Sequence, residues 1–476
     1  MLYKLLLHNI DGKVYNSVKN IYQSSESCVR VNGKLTNWFS CKTGVKQGDN
    51  LSPTLFSIFV NDLVQGINDL NLGVELVDRK LSILLYADDI ALIAKSPVDL
   101  QCMLDKLHSW CRRWRVLINT NKSKCIHFRK TRSRVTNFEF TIGLNKLEIV
   151  DDYKYLGISF SYNGNFTKNA ENLAKAGGRA LGKIISAIHN NKDFMFNAYE
   201  KLFYSCVIPV VDYASSIWGF KKFQSLDNIQ NRSIRYFIGV HRFAPTLAIY
   251  GDAGWIPSQY RRWINAIRYW NRVLSFDSER ITRKAFEFDY NMCRNNWCSE
   301  LKEIFHNLDL DYCFELKLIA DINLVQSKIH FYYSNIWPND VKNVPKLRTY
   351  ICFKTIFGRE NYVVLDMPKY LRSILAQFRC GILPLRIETG RYHGEPVEER
   401  ICSLCSENNV EDEIHFLLHC PLYLEYRAKL FENTGFNQML MSDRDALCML
   451  ISNYPRQVAK YLHSSFMLRK SILYNS

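Results

Sequence analysis

Glycine and proline are scarce, 21 and 12 among 476 residues, and no stretch is repeated or of low complexity. That excludes collagen-like, repeat and disordered chains, which depend on such residues or lack an apolar core. Long apolar runs are missing as well. The longest, Leu202 to Val211, contains Pro209 and stops at Asp212, short of the ~18 residues a membrane span needs. Met1 to Leu7 carries one lysine and a three-leucine run, too short for a secretory signal. Acid is in deficit: 62 Lys and Arg stand against 46 Asp and Glu, a net charge of +16. The 47% hydrophobic content fits a packed, helix-rich protein, and the length suggests about three domains at ~150 residues each. Fifteen cysteines without a signal read as reduced thiols in an intracellular protein, with a metal site open among them. The basic excess runs along the whole chain and points to a polyanion, nucleic acid ahead of an anionic membrane surface.

Residues Lys80 to Lys95 read KLSILLYADDIALIAK. Two apolar runs, Leu81–Leu85 and Ile90–Ala94, flank Tyr86-Ala87-Asp88-Asp89, the pattern of a β-hairpin buried on at least one face. Asp is frequent in plain turns. Two adjacent carboxylates between apolar strands, however, repel each other and are expected to carry a desolvation cost. A bound divalent cation would offset both, since Mg²⁺ takes oxygen ligands and a metal pair can clamp an in-line phosphoryl displacement. Upstream stand Gly44-Val45-Lys46-Gln47-Gly48-Asp49 and Leu51-Ser52-Pro53, where Ser52 is expected to cap a helix with Pro53 first inside it. Downstream stand Asn119-Thr120-Asn121-Lys122-Ser123-Lys124 and Tyr155-Leu156-Gly157.

In that order and at those distances the blocks resemble the palm of a reverse transcriptase, most closely the non-LTR (LINE-type) retrotransposon family. The resemblance implies an α+β fold: a partial right-hand polymerase palm, an antiparallel sheet with helices, over residues 1–160. A helical thumb-like region at 161–280, a helical connector at 281–375 and a zinc-binding C-terminal region at 376–476 would follow. It further implies that Gly44, Gln47, Gly48, Ser52 and Pro53 line the incoming nucleotide and template. Glycines let backbone approach a base pair, and Gln47 can hydrogen-bond a base or sugar edge. Asp88 and Asp89 match the Mg²⁺-binding pair, and Tyr86 the aromatic under primer or nucleotide. Lys122 matches the lysine that assists the leaving pyrophosphate, and Tyr155, Leu156 and Gly157 the primer grip. The implied partners are an RNA template, a DNA primer or target DNA, and dNTPs, with no membrane; oligomeric state is left open.

The family uses three carboxylates, the third in a preceding block ending like Ala-Phe-Asp. Here Met1 to Leu6 and Asn9 to Lys13 resemble the helix just after that block, so the chain reads as N-terminally truncated. Asp11, in an Ile-Asp-Gly-Lys turn, and Asp49, in a loop, are poor substitutes, because a metal ligand must be held within ~0.5 Å by a rigid element. The expectation is a polypeptide that alone extends primers poorly, or a non-catalytic remnant that binds RNA or DNA.

Met103, Leu104, Leu107, Trp110, Cys111 and Trp114 recur at helical spacing after Ser96-Pro97 and predict an amphipathic helix with a basic outer face. Arg129, Lys130, Arg132 and Arg134 form a basic turn that could touch phosphates or serve as a nuclear signal. Arg232, Arg235, Arg242, Arg261, Arg262 and Arg268 alternate with Tyr236, Trp255, Tyr260, Trp263 and Trp270. Arginine can hold phosphates and aromatics can stack on bases, although most of these aromatics are expected in the core. Between 281 and 370 the pattern offers helices, a break at Trp337-Pro338, and no chemistry. Near the end, Cys402, Cys405, His415 and Cys420 have the compact spacing of a tetrahedral Cys₃His zinc site, with His419 a rival for the fourth position. Phe378 to Tyr423 resembles the zinc-knuckle region of LINE-type proteins, which implies nucleic-acid binding; a purely structural zinc is the simpler alternative.

Overall fold

The computed structural model describes residues 1–41, 44–190, 194–437 and 441–474. It divides into two compact units, one of residues 1–154 and 160–164, the other of 155–159 and 165–476.

The first unit is α+β, and its described strands are all short two-stranded pairs rather than one broad sheet. Helices α1 (Leu2–Leu7), α2 (Gly12–Gln23) and α3 (Ser52–Asn68) precede strands β1 (Ile83–Tyr86) and β2 (Asp89–Leu92), and α4 (Pro97–Trp114) follows. Ile83 pairs with Leu92 and Tyr86 with Asp89 in antiparallel register. Only one face of the pair is covered: Ile83 is buried while Leu84 and Tyr86 are exposed. Ile83 packs with Leu63 and Ile67 of α3 and with Met103, Leu107 and Cys111 of α4. The predicted amphipathic helix is α4, and Ser96 caps it by accepting from the Asp99 amide at 3.1 Å.

Ser52 behaves differently from its expectation. It is the first helical residue of α3 rather than its cap, and its hydroxyl donates to the Lys46 carbonyl at 2.6 Å. Leu51 holds the cap position without a side-chain cap bond, and Asp49 accepts from the Leu51 amide at 3.1 Å in the turn before it.

Lys4 ties α1 to the helices behind the strand pair. Its ammonium lies over the rings of Trp114 at 3.9 Å, Phe59 at 4.3 Å and Trp110 at 4.7 Å. It donates to Asp62 at 2.6 Å, and the Trp110 indole donates to the same oxygen at 2.8 Å. Burial pulls the Lys4 pKa down and Asp62 opposes it. At Asp62 burial pushes upward, but the donors Lys4 and Trp110 hold the carboxyl below its usual value.

The second unit is helical. Strands β3 (Asp152–Tyr155) and β4 (Ile158–Ser161), whose residues are divided between the two units, precede α5 (Thr167–Asn190). Then come α6 (Gln224–Ile238), α7 (Ser258–Leu274), α8 (Ile322–Lys342), α9 (Lys369–Arg379) and α10 (Pro455–Tyr474), with shorter helices between. One apolar cluster runs from Ala170 to Leu462. The expected break at Trp337-Pro338 is absent, because α8 continues through Pro338. Buried Trp337 donates to the Leu247 carbonyl at 2.9 Å and packs on Tyr350 and Phe357, anchoring the turn where proline removes a backbone donor.

At the centre of this unit Arg379 is buried against Asp252, with Nε to Oδ2 at 3.0 Å and Nη2 to Oδ1 at 2.8 Å. Glu360 also pairs with Arg379 at 2.9 Å, while the Tyr350 and Tyr362 hydroxyls donate to Asp252 at 2.9 and 2.7 Å. Burial would lower the Arg379 pKa, but the facing carboxylates more than offset it and keep the guanidinium charged. Removing one partner of such a pair costs about 3–5 kcal/mol. Arg379→Met, which leaves the Asp252 charge buried with only hydroxyl donors, is expected to lose that amount in denaturant unfolding. A loss below about 1 kcal/mol would contradict the central role of the pair.

Candidate functional site

The register Tyr86↔Asp89 leaves only Ala87 and Asp88 in the turn between β1 and β2. Ala87 has φ +51°, a left-handed conformation that costs an L-residue roughly 1–2 kcal/mol. Such strain persists only where the surroundings over-determine it, and it concentrates at functional sites. Asp88 and Asp89 are both exposed, so the desolvation cost expected from the apolar flanks does not arise. Each strand has one open face, and the turn projects into water. What remains is mutual repulsion of two adjacent carboxylates, which a hard cation relieves. Tyr86, 66% exposed, stands beside Asp89 at the strand end with its ring open.

Of the other predicted nucleotide residues, Ser52 is buried with its hydroxyl spent on the Lys46 carbonyl, against expectation, and the rest are at the surface of the first unit. Gly44 and Gly48 hold φ of +87° and +86°, and Gln47 between them is exposed. Among the described residues its amide has no recorded partner. Pro53 is exposed in the first turn of α3. Lys122 is exposed in a loop fixed by its own backbone: its amide donates to Asn119 at 3.2 Å, and its carbonyl accepts from the Tyr153 hydroxyl at 2.9 Å. Among the described residues no third carboxylate, histidine or cysteine joins Asp88 and Asp89 in a metal-binding group. Of the basic turn, Arg129 is committed to Asp151 at 2.7 Å and to the Tyr162 ring at 4.1 Å, leaving Lys130, Arg132 and Arg134 exposed.

In the second unit, Leu156 and Gly157 form the turn after Tyr155, with φ +47° and +85°. The Tyr213 hydroxyl donates to the Leu156 carbonyl at 3.0 Å, and its ring lies where a Gly157 side chain would sit, 2.8 Å from a Cβ. Glycine is required there twice over, by conformation and by space. Sequence reasoning missed Tyr213 as the group that seats this turn.

The C-terminal cysteines and histidine converge. The donor atoms of Cys402, Cys405, His415 and Cys420 all lie within 4.8 Å of one another. Ligands ~2.3 Å from a tetrahedral ion stand about 3.8 Å apart, so small closures suffice. His415 Nε2 is 3.5 Å from the Cys405 sulfur, while its Nδ1 is buried without a hydrogen-bond partner. His419 is turned away and paired with Asp443 at 2.7 Å, so Cys420 and not His419 completes the group. A hydrogen bond with Cys420, and then burial, pushes the Cys402 thiol up to about 12, while the same bond holds Cys420 below its usual value against burial. Around the group, buried Glu411 takes Arg469 on both oxygens and lies 3.8 Å from the Cys402 sulfur, while Arg427 donates to the Cys420 carbonyl at 2.7 Å. The donor set suits zinc, and its carboxylate and guanidinium surroundings are those that orient ligands.

The paired carboxylates thus stand at a strained two-residue turn backed by two helices. Residues 3–160 match the family reverse transcriptase (RNA-dependent DNA polymerase). Over 181 residues the chain is 29% identical to the retrovirus-related Pol polyprotein of the type-1 retrotransposable element R2 from Popillia japonica, covering 35% of this chain and 30% of that protein. Over 227 residues it is 25% identical to the RNA-directed DNA polymerase from mobile element jockey of Drosophila funebris, covering 46% and 24%. A 159-residue stretch is 28% identical to the type-2 element R2DM polyprotein of Drosophila melanogaster, covering 32% and 15%. The chain thus spans under a third of the length of each of these relatives. Residues 3–160 therefore match a reverse transcriptase domain, and these relatives come from retrotransposable and mobile elements. No helix among the described residues is long and apolar enough to cross a membrane.

The Gly157 contact gives a direct prediction. Gly164→Ala, also left-handed at φ +73° but facing open space, is expected to cost only the conformational ~1–2 kcal/mol. Gly157→Ala is expected to cost clearly more, because the Tyr213 ring must also shift. Equal losses in thermal unfolding would show that Tyr213 does not seat the turn.

Proposed function

We propose that this chain is polymerase machinery of a non-LTR retrotransposon, extending a DNA 3′ end along an RNA template. The observation that carries the reading is the exposed Asp88–Asp89 pair on its strained, helix-backed turn. Asp88 and Asp89 would hold Mg²⁺, which when bound neutralises charge on the triphosphate as the primer hydroxyl attacks the α-phosphate. Tyr86 offers a ring for the primer end or nucleotide. Gln47, between glycines that admit close backbone approach, offers an amide to a base or sugar edge. Lys122 is placed on a fixed loop, where its ammonium can give a proton to departing pyrophosphate. Tyr155, Leu156 and Gly157 would steady the primer.

A second reading is favoured by one observation: only two carboxylates meet at the turn among the described residues. On that reading the chain binds RNA or DNA without catalysis. Both readings give the C-terminal segment a zinc held by Cys402, Cys405, His415 and Cys420, with RNA or target DNA as its partner.

RNA-templated primer extension with dNTPs and Mg²⁺ separates the two. With two carboxylates, slow extension is expected from the chain alone, falling by about a hundred-fold or more in Asp88→Asn. Extension that ignores Asp88→Asn would place the chemistry elsewhere, and none at all in the parent would leave the binding reading. For the metal, ~1 zinc per chain is expected in the parent and none in Cys405→Ser, with a lower melting temperature. A parent protein that folds metal-free, at an unchanged melting temperature, would remove zinc from the account.

A further inference from the structure

Three described residues other than Gly, Asn and Asp adopt left-handed φ away from helix C-termini: Ala87, Leu156 and Ala214. The first two belong to the turns already described. Ala214, at φ +50°, follows directly on Tyr213, which seats the Leu156-Gly157 turn. Beyond Ala214 a cavity of about 250 Å³ opens between the short helix Ser215–Trp218 and one face of α7. Asn265, Arg268, Tyr269 and Arg272 line it from α7 at the i, i+3, i+4 and i+7 spacing of a single helix face.

The other arginines nearby are used up. Arg261 is paired with Asp212 on both carboxylate oxygens, which also spends the one acid lining the cavity. Arg262 is buried and donates to the carbonyls of Gly219 and Lys221 at 3.2 and 3.0 Å. Arg235 donates to the Ala244 carbonyl at 3.0 Å. Arg268 and Arg272 are exposed, and neither has a recorded carboxylate partner among the described residues. The Arg272 guanidinium lies over the Phe276 ring at 5.8 Å. Below them, buried Ser215 accepts from the Asn265 amide at 3.0 Å, and its own hydroxyl proton has no recorded acceptor. Two free guanidinium forks over an unspent hydroxyl donor, with the local acid neutralised, form a cradle for a tetrahedral oxyanion.

We propose that Arg268, Arg272 and Ser215 bind one phosphodiester of a nucleic-acid strand lying along the Leu156-Gly157 turn. The assignment rests on the reading that this chain's partner is nucleic acid. It adds a backbone-positioning site: the strained Ala214 fixes the spacing between the seat of the turn and the cradle. Phosphate contacts of this kind set register and carry no sequence information.

Binding of a fluorescent single-stranded oligonucleotide, measured by anisotropy across a salt series, tests the cradle. Losing the one phosphate neutralised there should reduce the slope of log K against log[salt] by about 0.7 in Arg268→Ala/Arg272→Ala. Arg268→Lys/Arg272→Lys should keep most of the slope, and both variants should retain the parent melting temperature. Arg294→Ala/Lys302→Ala, which removes two cations elsewhere in the same unit, should leave the slope near the parent's. A parent slope in the Arg268/Arg272 double alanine variant, or an equal fall in the Arg294/Lys302 control, overturns the cradle while leaving the nucleic-acid reading intact. Failure of the parent to bind overturns both. Displacement of the oligonucleotide by inorganic phosphate, beyond that caused by chloride at matched ionic strength, would reassign the cavity to a free anion and overturn the proposal.

Discussion

Like charges on neighbouring residues are the constraint around which the first unit is built. Asp88 and Asp89 cannot be buried together without a counter-charge, yet the metal-binding role proposed for them needs a rigid support. The solution is a strand pair with one covered face. Ile83 is pinned between α3 and α4, while the turn with its two carboxylates stays in water. The left-handed Ala87 is the strain that this geometry imposes. Lys4, clasped by Phe59, Trp110, Trp114 and Asp62, fixes α1 on the same two helices and so stiffens the support from behind.

The second unit solves the opposite problem. Its charges are taken inside and satisfied there, by Asp252 with Arg379 and Glu360, and by Glu411 with Arg469 beside the cysteine group. Such pairs contribute little net stability, but they punish any packing that separates them. They therefore specify how α9 and α10 dock. Once these internal arginines are assigned, the few that remain free become informative, and Arg268 and Arg272 stand out for that reason.

Local patterns were legible in the sequence. The Ser96 cap and apolar spacing of α4, the strand pair around Tyr86–Asp89, and the convergence of Cys402, Cys405, His415 and Cys420 each depend on near neighbours. Interactions between distant segments were not. Nothing near Ser52 signals that its hydroxyl turns back to the Lys46 carbonyl, and nothing near Pro338 shows that Trp337 is gripped from Leu247. The basic, aromatic stretch from Arg232 to Trp270 looked uniform, yet it separates into buried structural guanidiniums and an exposed pair. That sorting is decided by partners such as Asp212, 49 residues before Arg261. The stretch from 281 to 370, silent as sequence, supplies Tyr350, Glu360 and Tyr362 to the central network.

The central claim is that the turn between β1 and β2 is a cation site made by two carboxylates. Electron paramagnetic resonance of Mn²⁺ added to the zinc-loaded chain with primer–template and dNTP measures this directly, because bound Mn²⁺ loses its free-ion signal. The account predicts saturable loss of the signal in the parent and its return in Asp88→Asn/Asp89→Asn. Identical Mn²⁺ uptake by parent and double variant would contradict it.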